Sequence, residues 1–202
     1  MSQAIETSET SPIQVAFVNS DILKLPGRIG LTIAPGKKGV GLNVQWKRNL
    51  DIDLNRLKQE YQTDLLVCLL VKAELETAKI TDLLPRAETM GMKTIWFPIV
   101  DLGIPCSIAD FTTFIEVLLD AVRAGQTVVT HCRGGLGRTG TVVACCLVRL
   151  GYEPSEAIRL VRTVQAGAIE TKEQQKFVTL CQRIWNSDRR EILQDQSSKY
   201  SQ

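Results

Sequence analysis

His131-Cys132-Arg133-Gly134-Gly135-Leu136-Gly137-Arg138-Thr139-Gly140 is the stretch from which the rest of the chain is best read. The β-branched and apolar run Thr127-Val128-Val129-Thr130 leads into it, and the apolar run Val142 to Val148 leaves it. This pattern predicts a strand that delivers a cysteine into a glycine-rich loop, which then becomes a helix. Five residues separate Cys132 from Arg138. Backbone N–H groups in such a loop converge on one centre, with the positive end of the helix behind them. An anion cradled by the backbone of Arg133, Gly134, Gly135, Leu136, Gly137 and Arg138 lies against the cysteine sulfur. The Arg138 guanidinium then forks onto two of its oxygens. The chemistry implied is attack on a phosphate by a thiolate.

Other readings of the same residues fail on context. Gly135-Leu136-Gly137-Arg138-Thr139-Gly140 satisfies G-x-G-x-x-G, but a dinucleotide site needs a βαβ unit with an acidic residue about 20 positions on. Here Glu153 to Val164 reads as a second helix. A Walker loop needs a lysine before the hydroxyl residue, and neither Thr139 nor Thr141 has one. A plain glycine turn with a buried cysteine leaves Arg138 and His131 without a purpose.

The Cys-x5-Arg core, with His131 before it and Thr139-Gly140 after it, resembles the signature loop of the cysteine-dependent protein phosphatases. Pro98-Ile99-Val100-Asp101 stands where that family carries its general acid. Gly167-Ala168-Ile169-Glu170-Thr171 followed by Gln174 resembles its closing loop. From Leu25-Pro26-Gly27 to Phe177 the order is similar to the kinase-associated, dual-specificity type, and the likeness runs from Ile13 to Trp185. The resemblance implies an α/β fold, a single domain with a central, mostly parallel sheet flanked by helices.

Composition fits this picture and narrows it. With 24 basic and 22 acidic residues the net charge is +2, which gives no electrostatic case for nucleic acid. No apolar run reaches the roughly 18 residues needed to span a membrane. The polar, acidic start from Met1 to Ser11 lacks the regions of a signal peptide. Six cysteines without framework spacing suit a reducing compartment, and the expected location is the cytoplasm. His131 is the only histidine and no pair of Cys-x2-Cys knuckles exists, so neither metal nor cofactor is expected.

Residues 1–12 and 187–202 read as mobile tails around one domain at 13–186. Strand patterns cover Val15 to Val18, Arg28 to Ile33, Leu65 to Val71 and Thr94 to Pro98, with Pro35-Gly36-Lys37-Lys38-Gly39 as a turn-rich loop. Helical spacing covers Asp53 to Tyr61, Thr81 to Met90, Ser107 to Ala124, Ser155 to Gln165 and Lys172 to Trp185. The helix after the loop, ending at Leu150, is apolar on nearly all sides and belongs in the centre of the fold. Strands alternating with helices, then helices alone, imply an α/β sandwich.

Cys132 is the expected nucleophile, its thiolate favoured by the helix end and neighbouring cations. Arg138 clamps the phosphoryl oxygens. Thr139 hydrogen-bonds the sulfur and helps it leave in the second step. His131 orients the loop through its ring N–H groups. Asp101 is the general acid, with Asp110 as a competitor that fits better at a helix start. The resemblance implies that Gln174 positions the hydrolytic water, although Glu170 stands where the tyrosine-specific pattern has glutamine. Cys68 is a core thiol, or a partner for Cys132 in the reversible disulfide some relatives form. Lys47-Arg48-Asn49 is read as the solvated entry to the Asp53 helix, or as a border of the pocket.

The expected substrate is a phosphorylated protein, and the expected species a monomer without membrane or nucleic-acid partners. A phosphoinositide suits the loop less well, because Arg133, Gly134, Gly135 and Leu136 bear one cation where lipid-acting relatives tend to place lysines. A non-catalytic phosphate-binding module predicts a missing nucleophile, acid or arginine, and all three are present. A thiol redox or arsenate-reducing enzyme calls for resolving cysteines and an earlier signature.

Overall fold

The structure, a computed structural model, describes residues 4–41 and 44–199. In chain order the elements are β1 (Ala4–Glu6), β2 (Ala16–Phe17), α1 (Ser20–Leu23), β3 (Arg28–Thr32), β4 (Lys38–Val40), β5 (Val44–Lys47), α2 (Leu50–Gln59) and β6 (Leu65–Cys68). There follow α3 (Lys72–Thr77), α4 (Leu83–Thr89), β7 (Lys93–Trp96), α5 (Ile108–Arg123), β8 (Thr127–His131), α6 (Gly137–Arg149), α7 (Pro154–Val164) and α8 (Lys172–Lys199).

The main sheet has the order β2-β3-β8-β6-β7. Its four strands from β3 to β7 are parallel, and only the edge strand β2 is antiparallel. Side chains alternate between two cores, as strand geometry requires. Leu65, Val67 and Leu69 enter the core shared with α5, α6, α7 and α8. Leu66, Cys68 and Leu70 enter the core shared with α2 and α4. Both faces are thus apolar, which is why β6 reads in sequence as an unbroken run. Helix α6 is buried from Gly137 to Val148 and packs on α5, α7, α8 and β3, as its all-round apolar character predicts. Ser107 caps α5 by accepting the Asp110 N–H at 3.2 Å, so Asp110 takes its expected place in a first helical turn.

Three expectations are corrected. The expected tail at 1–12, of which 1–3 lie outside the described residues, is not a tail from Ala4 on: β1 pairs in parallel with β5, and β4 completes a small second sheet in the order β1-β5-β4. Ser8 is buried, and its Oγ donates to Asn49 O while accepting the Asn49 N–H. The C-terminal helix does not stop near Trp185 but continues to Lys199. Its extension is rich in good helix formers and free of Gly and Pro, yet lacks the apolar periodicity by which helices are recognised.

The third concerns Lys47-Arg48-Asn49: Lys47 and Asn49 are exposed at the entry to α2, as expected, but Arg48 between them is buried. Arg48 is 1% exposed and meets Asp53 in a two-point ion pair, both bonds 2.8 Å. Its remaining contact is a hydrogen bond to Ser11 O, while Asp53 Oδ2 accepts the Gly36 N–H. One buried pair therefore fixes the N-terminal segment and the 35–37 turn to the start of α2. Asn49 caps that helix by accepting from Asp51 and Ile52.

Candidate active site

β8 lies between β3 and β6, with Thr32 and Cys68 beside His131. Cys132 therefore sits at the carboxyl end of the central strand, where open α/β sheets present their sites. It is buried, with Sγ 3.8 Å from Thr139 Oγ1. The turn between strand and helix needs glycine at one position above all. Gly135 has φ +72, and a Cβ there would stand 2.7 Å from the Thr32 carbonyl. At Gly137 a Cβ would lie 2.5 Å from Glu170 Oε2 and 2.9 Å from Gln174 Nε2. A Cβ on Gly134 would meet nothing within 4 Å, so no protein atom requires glycine there.

Among the described residues, the amides of Arg133, Gly134, Gly135, Leu136 and Arg138 donate to no other group. They are the donors an anion would use. The Gly137 N–H is committed, donating to Glu170 Oε2 at 2.8 Å. Glu170 thus places a carboxylate at the N-terminus of α6, in the field expected to hold a phosphate.

Arg138 is 1% exposed. It donates to both oxygens of Glu74, at 2.6 and 2.8 Å, to Ile99 O at 2.9 Å, and to Asp101 Oδ1 at 2.7 Å. Burial opposes its charge, but the Glu74 bonds, then Cys132 and Asp101, more than offset this and hold the guanidinium above its ordinary pKa. A guanidinium has five N–H donors. The four bonds leave the Nε–H free, and the Asp101 bond is the most exchangeable, since the Asp101 side chain is 49% exposed against 16% for Glu74. The fork formed by Nε and the Asp101-bound nitrogen is therefore the edge that can turn onto an anion.

The structure brings Cys132 beside Thr139 and Arg138 beside Asp101. It treats His131 and Gln174 differently. His131 is wholly buried, and neither Nδ1 nor Nε2 has a hydrogen-bond partner among the described residues. Of the loop, the Cys132 backbone is the group that acts on the ring, without a full hydrogen bond to either nitrogen. Burial brings its pKa down to about 4, with the Cys132 backbone opposing and Arg138 reinforcing the shift, so the ring is neutral. Gln174 and Thr171 form a capping box at the start of α8: Gln174 Oε1 accepts the Thr171 N–H at 3.2 Å, and Thr171 Oγ1 accepts the Gln174 N–H at 3.1 Å. Gln174 Nε2 donates to Gly103 O, tying the Asp101 loop to α8. One amide hydrogen is left for a water. Cys68 is a free core thiol pushed up to about 12 by burial.

Glu74 is the residue that sequence reading missed. It follows β6 in Val71-Lys72-Ala73-Glu74, and its Oε2 also accepts the Val71 N–H at 3.1 Å. The available signal was an acidic residue just beyond the carboxyl end of a buried parallel strand.

Comparison with known proteins gives the family. The family model described as cyclin-dependent kinase inhibitor 3 (CDKN3) matches residues 2–158. Proteins named cyclin-dependent kinase inhibitor 3 from Rattus norvegicus and Homo sapiens are each 30% identical over 173 residues, covering 84% of this chain and 79% of the relative. A crystal structure of kinase-associated phosphatase, with its catalytic-site cysteine replaced by serine, superposes with a TM-score of 0.75 at 28% identity, covering 83% of this chain and 93% of the other. The active form of Tk-PTP superposes with a TM-score of 0.63 at 26% identity, covering 84% and 96%. The chain belongs to the cyclin-dependent kinase inhibitor 3 family, within the cysteine-dependent tyrosine and dual-specificity phosphatases.

Proposed function

We propose that this chain hydrolyses phosphate monoesters on proteins, phosphotyrosine among them, by a metal-independent two-step transfer through Cys132. The observation that supports this most directly is the bond between Arg138 and Asp101 beside the Cys132 loop. Arg138 and Asp101 lie one hydrogen bond apart, which supports reading them as the anion-binding group and the acid.

In the first step the phosphate enters the cradle of free amides, and Arg138 exchanges Asp101 for two phosphoryl oxygens. Glu74 and the Ile99 carbonyl keep the guanidinium plane fixed during that exchange. The same movement frees Asp101 to face the leaving oxygen. The Cys132 sulfur attacks phosphorus, the ester P–O bond breaks, and Asp101 gives its proton to the departing alcohol or phenol. In the second step a water adds to the phosphocysteine and Asp101 takes its proton. The P–S bond breaks with Thr139 hydrogen-bonding the sulfur, and inorganic phosphate leaves.

The test is hydrolysis of an aryl phosphate by the purified chain in the presence of a chelator, with vanadate as inhibitor. Cys132→Ser is expected to abolish turnover and keep phosphate binding. Phosphate binding by the unaltered chain without any turnover would make it a binding module instead.

A further inference from the structure

Beside the phosphate loop lies a recess that the reaction above does not use, lined by Lys37, Lys38, Val40, Trp46, Leu70 and Arg133. Glu74 lines it too, with both oxygens already committed to Arg138. Lys37 is 7% exposed. Its Nζ lies 3.8 Å from the centre of the Trp46 ring and donates to Arg133 O at 3.1 Å. Among the described residues no carboxylate lies within 4 Å of it: the buried ammonium touches a π face and a neutral carbonyl, and Cys132 and Glu6 favour its charge only from further off. Lys38 and Arg133 add positive charge to the same walls.

We propose that this recess is a second anion subsite, which takes the carboxylate of an acidic residue flanking the phosphorylated residue in a protein substrate. The inference rests on the phosphatase reading above. Arg133 joins the two sites, because it follows the nucleophile in the chain and its carbonyl holds Lys37. A glutamate side chain fits both halves of the recess: its methylenes lie along Val40, Trp46 and Leu70, and its carboxylate meets Lys37. A hydroxyl-covered inositol ring would leave those apolar walls unmatched. Burial brings the Lys37 ammonium down to about 8, and a bound carboxylate would restore what desolvation removes.

The experiment compares phosphotyrosine peptides in which one glutamate is walked from two residues before to two residues after the phosphoresidue. Each has a glutamine counterpart. The full chain should show at least one position where glutamate raises kcat/KM on the order of tenfold, the scale of one charge-assisted hydrogen bond. In Lys37→Gln, which keeps a donor for Arg133 O and removes the charge, and in Lys37→Met, that ratio should fall to near one. A ratio of one at every position in the unaltered chain overturns the subsite, whether or not the variants fold. So does a ratio unchanged in the Lys37 variants, or a short-chain phosphoinositide bisphosphate hydrolysed better than the best peptide. A small aryl phosphate, which does not reach the recess, separates the two ideas: its turnover by the unaltered chain upholds the phosphatase reading when the peptide preference fails.

Discussion

Glu74 grips the Nη1–Nη2 end of Arg138 through two bonds of 2.6 and 2.8 Å, leaving the adjacent Nε–Nη2 edge for a phosphate. The pair sets the orientation of the guanidinium before any substrate arrives, which is the sense in which this site is preorganised. Glu74→Gln keeps an acceptor but loses the charge and the two-point geometry. It should lower kcat/KM for an aryl phosphate by roughly 10- to 100-fold, the scale of one hydrogen bond to a charged group. Alkylation of Cys132 by iodoacetamide should persist, which separates a misplaced arginine from a disrupted loop.

Asp101 both restrains Arg138 and supplies the proton, so its removal should act on two constants in opposite senses. In Asp101→Asn, kcat should fall by about 100-fold or more, most for poor leaving groups. KM should fall as well, because the phosphate no longer competes with a carboxylate for the Arg138 fork. Steady-state kinetics on a series of aryl phosphates checks both.

Glu170 offers a carboxylate to the helix end that a phosphate also needs. Glu170→Gln keeps an acceptor for the Gly137 N–H and removes the competing charge. The inhibition constant for phosphate should drop roughly two- to fivefold, in line with one charge at a helix N-terminus. The effect should shrink as salt is added.

His131 makes stability depend on pH. Burial lowers its pKa from 6.5 to about 4, so between these values the unfolded chain binds a proton that the folded chain does not. This contribution is fully present above pH 6.5 and is lost as pH falls toward 4. The Tm of the unaltered chain should decline across that window more steeply than that of His131→Asn, measured by thermal denaturation at a series of pH values.

The buried Arg48–Asp53 pair holds three segments at once. Arg48→Met strands Asp53 without a partner and should cost about 3–5 kcal/mol, a fall in Tm of about 6–20 °C. Since Lys37 follows the Gly36 amide bound to Asp53, the same change should loosen the turn beside the phosphate loop. Faster proteolysis within residues 35–41 would register it.

What was legible in the sequence follows from how each feature is encoded. The loop from His131 to Gly140 announces itself because its spacing is local, and β6, α5 and α6 do so because apolar periodicity is local too. Asp101 was singled out by the family resemblance, on a loop after a readable strand. Glu74, Glu170 and the Arg48–Asp53 pair work through polar contacts across 64, 33 and 5 positions. Such pairings leave no periodic trace, and a charged side chain reads as solvated until the fold buries it. The strands β1, β4 and β5 were missed for a related reason. They are short and partly or wholly exposed, so no alternation marks them. His131 illustrates the converse: its place beside Cys132 was evident, while its lack of hydrogen-bond partners depends on the packing around β8.

The central claim is that phosphate passes through the sulfur of Cys132. The most direct measurement is acid quenching of the chain during turnover of an aryl phosphate, followed by mass spectrometry of the peptide spanning residues 124–138. The account predicts that one phosphate group is found on Cys132, that it accumulates further in Asp101→Asn with a good leaving group, and that it is absent in Cys132→Ser. Phosphate on any other residue, or continued turnover by Cys132→Ser, would contradict it.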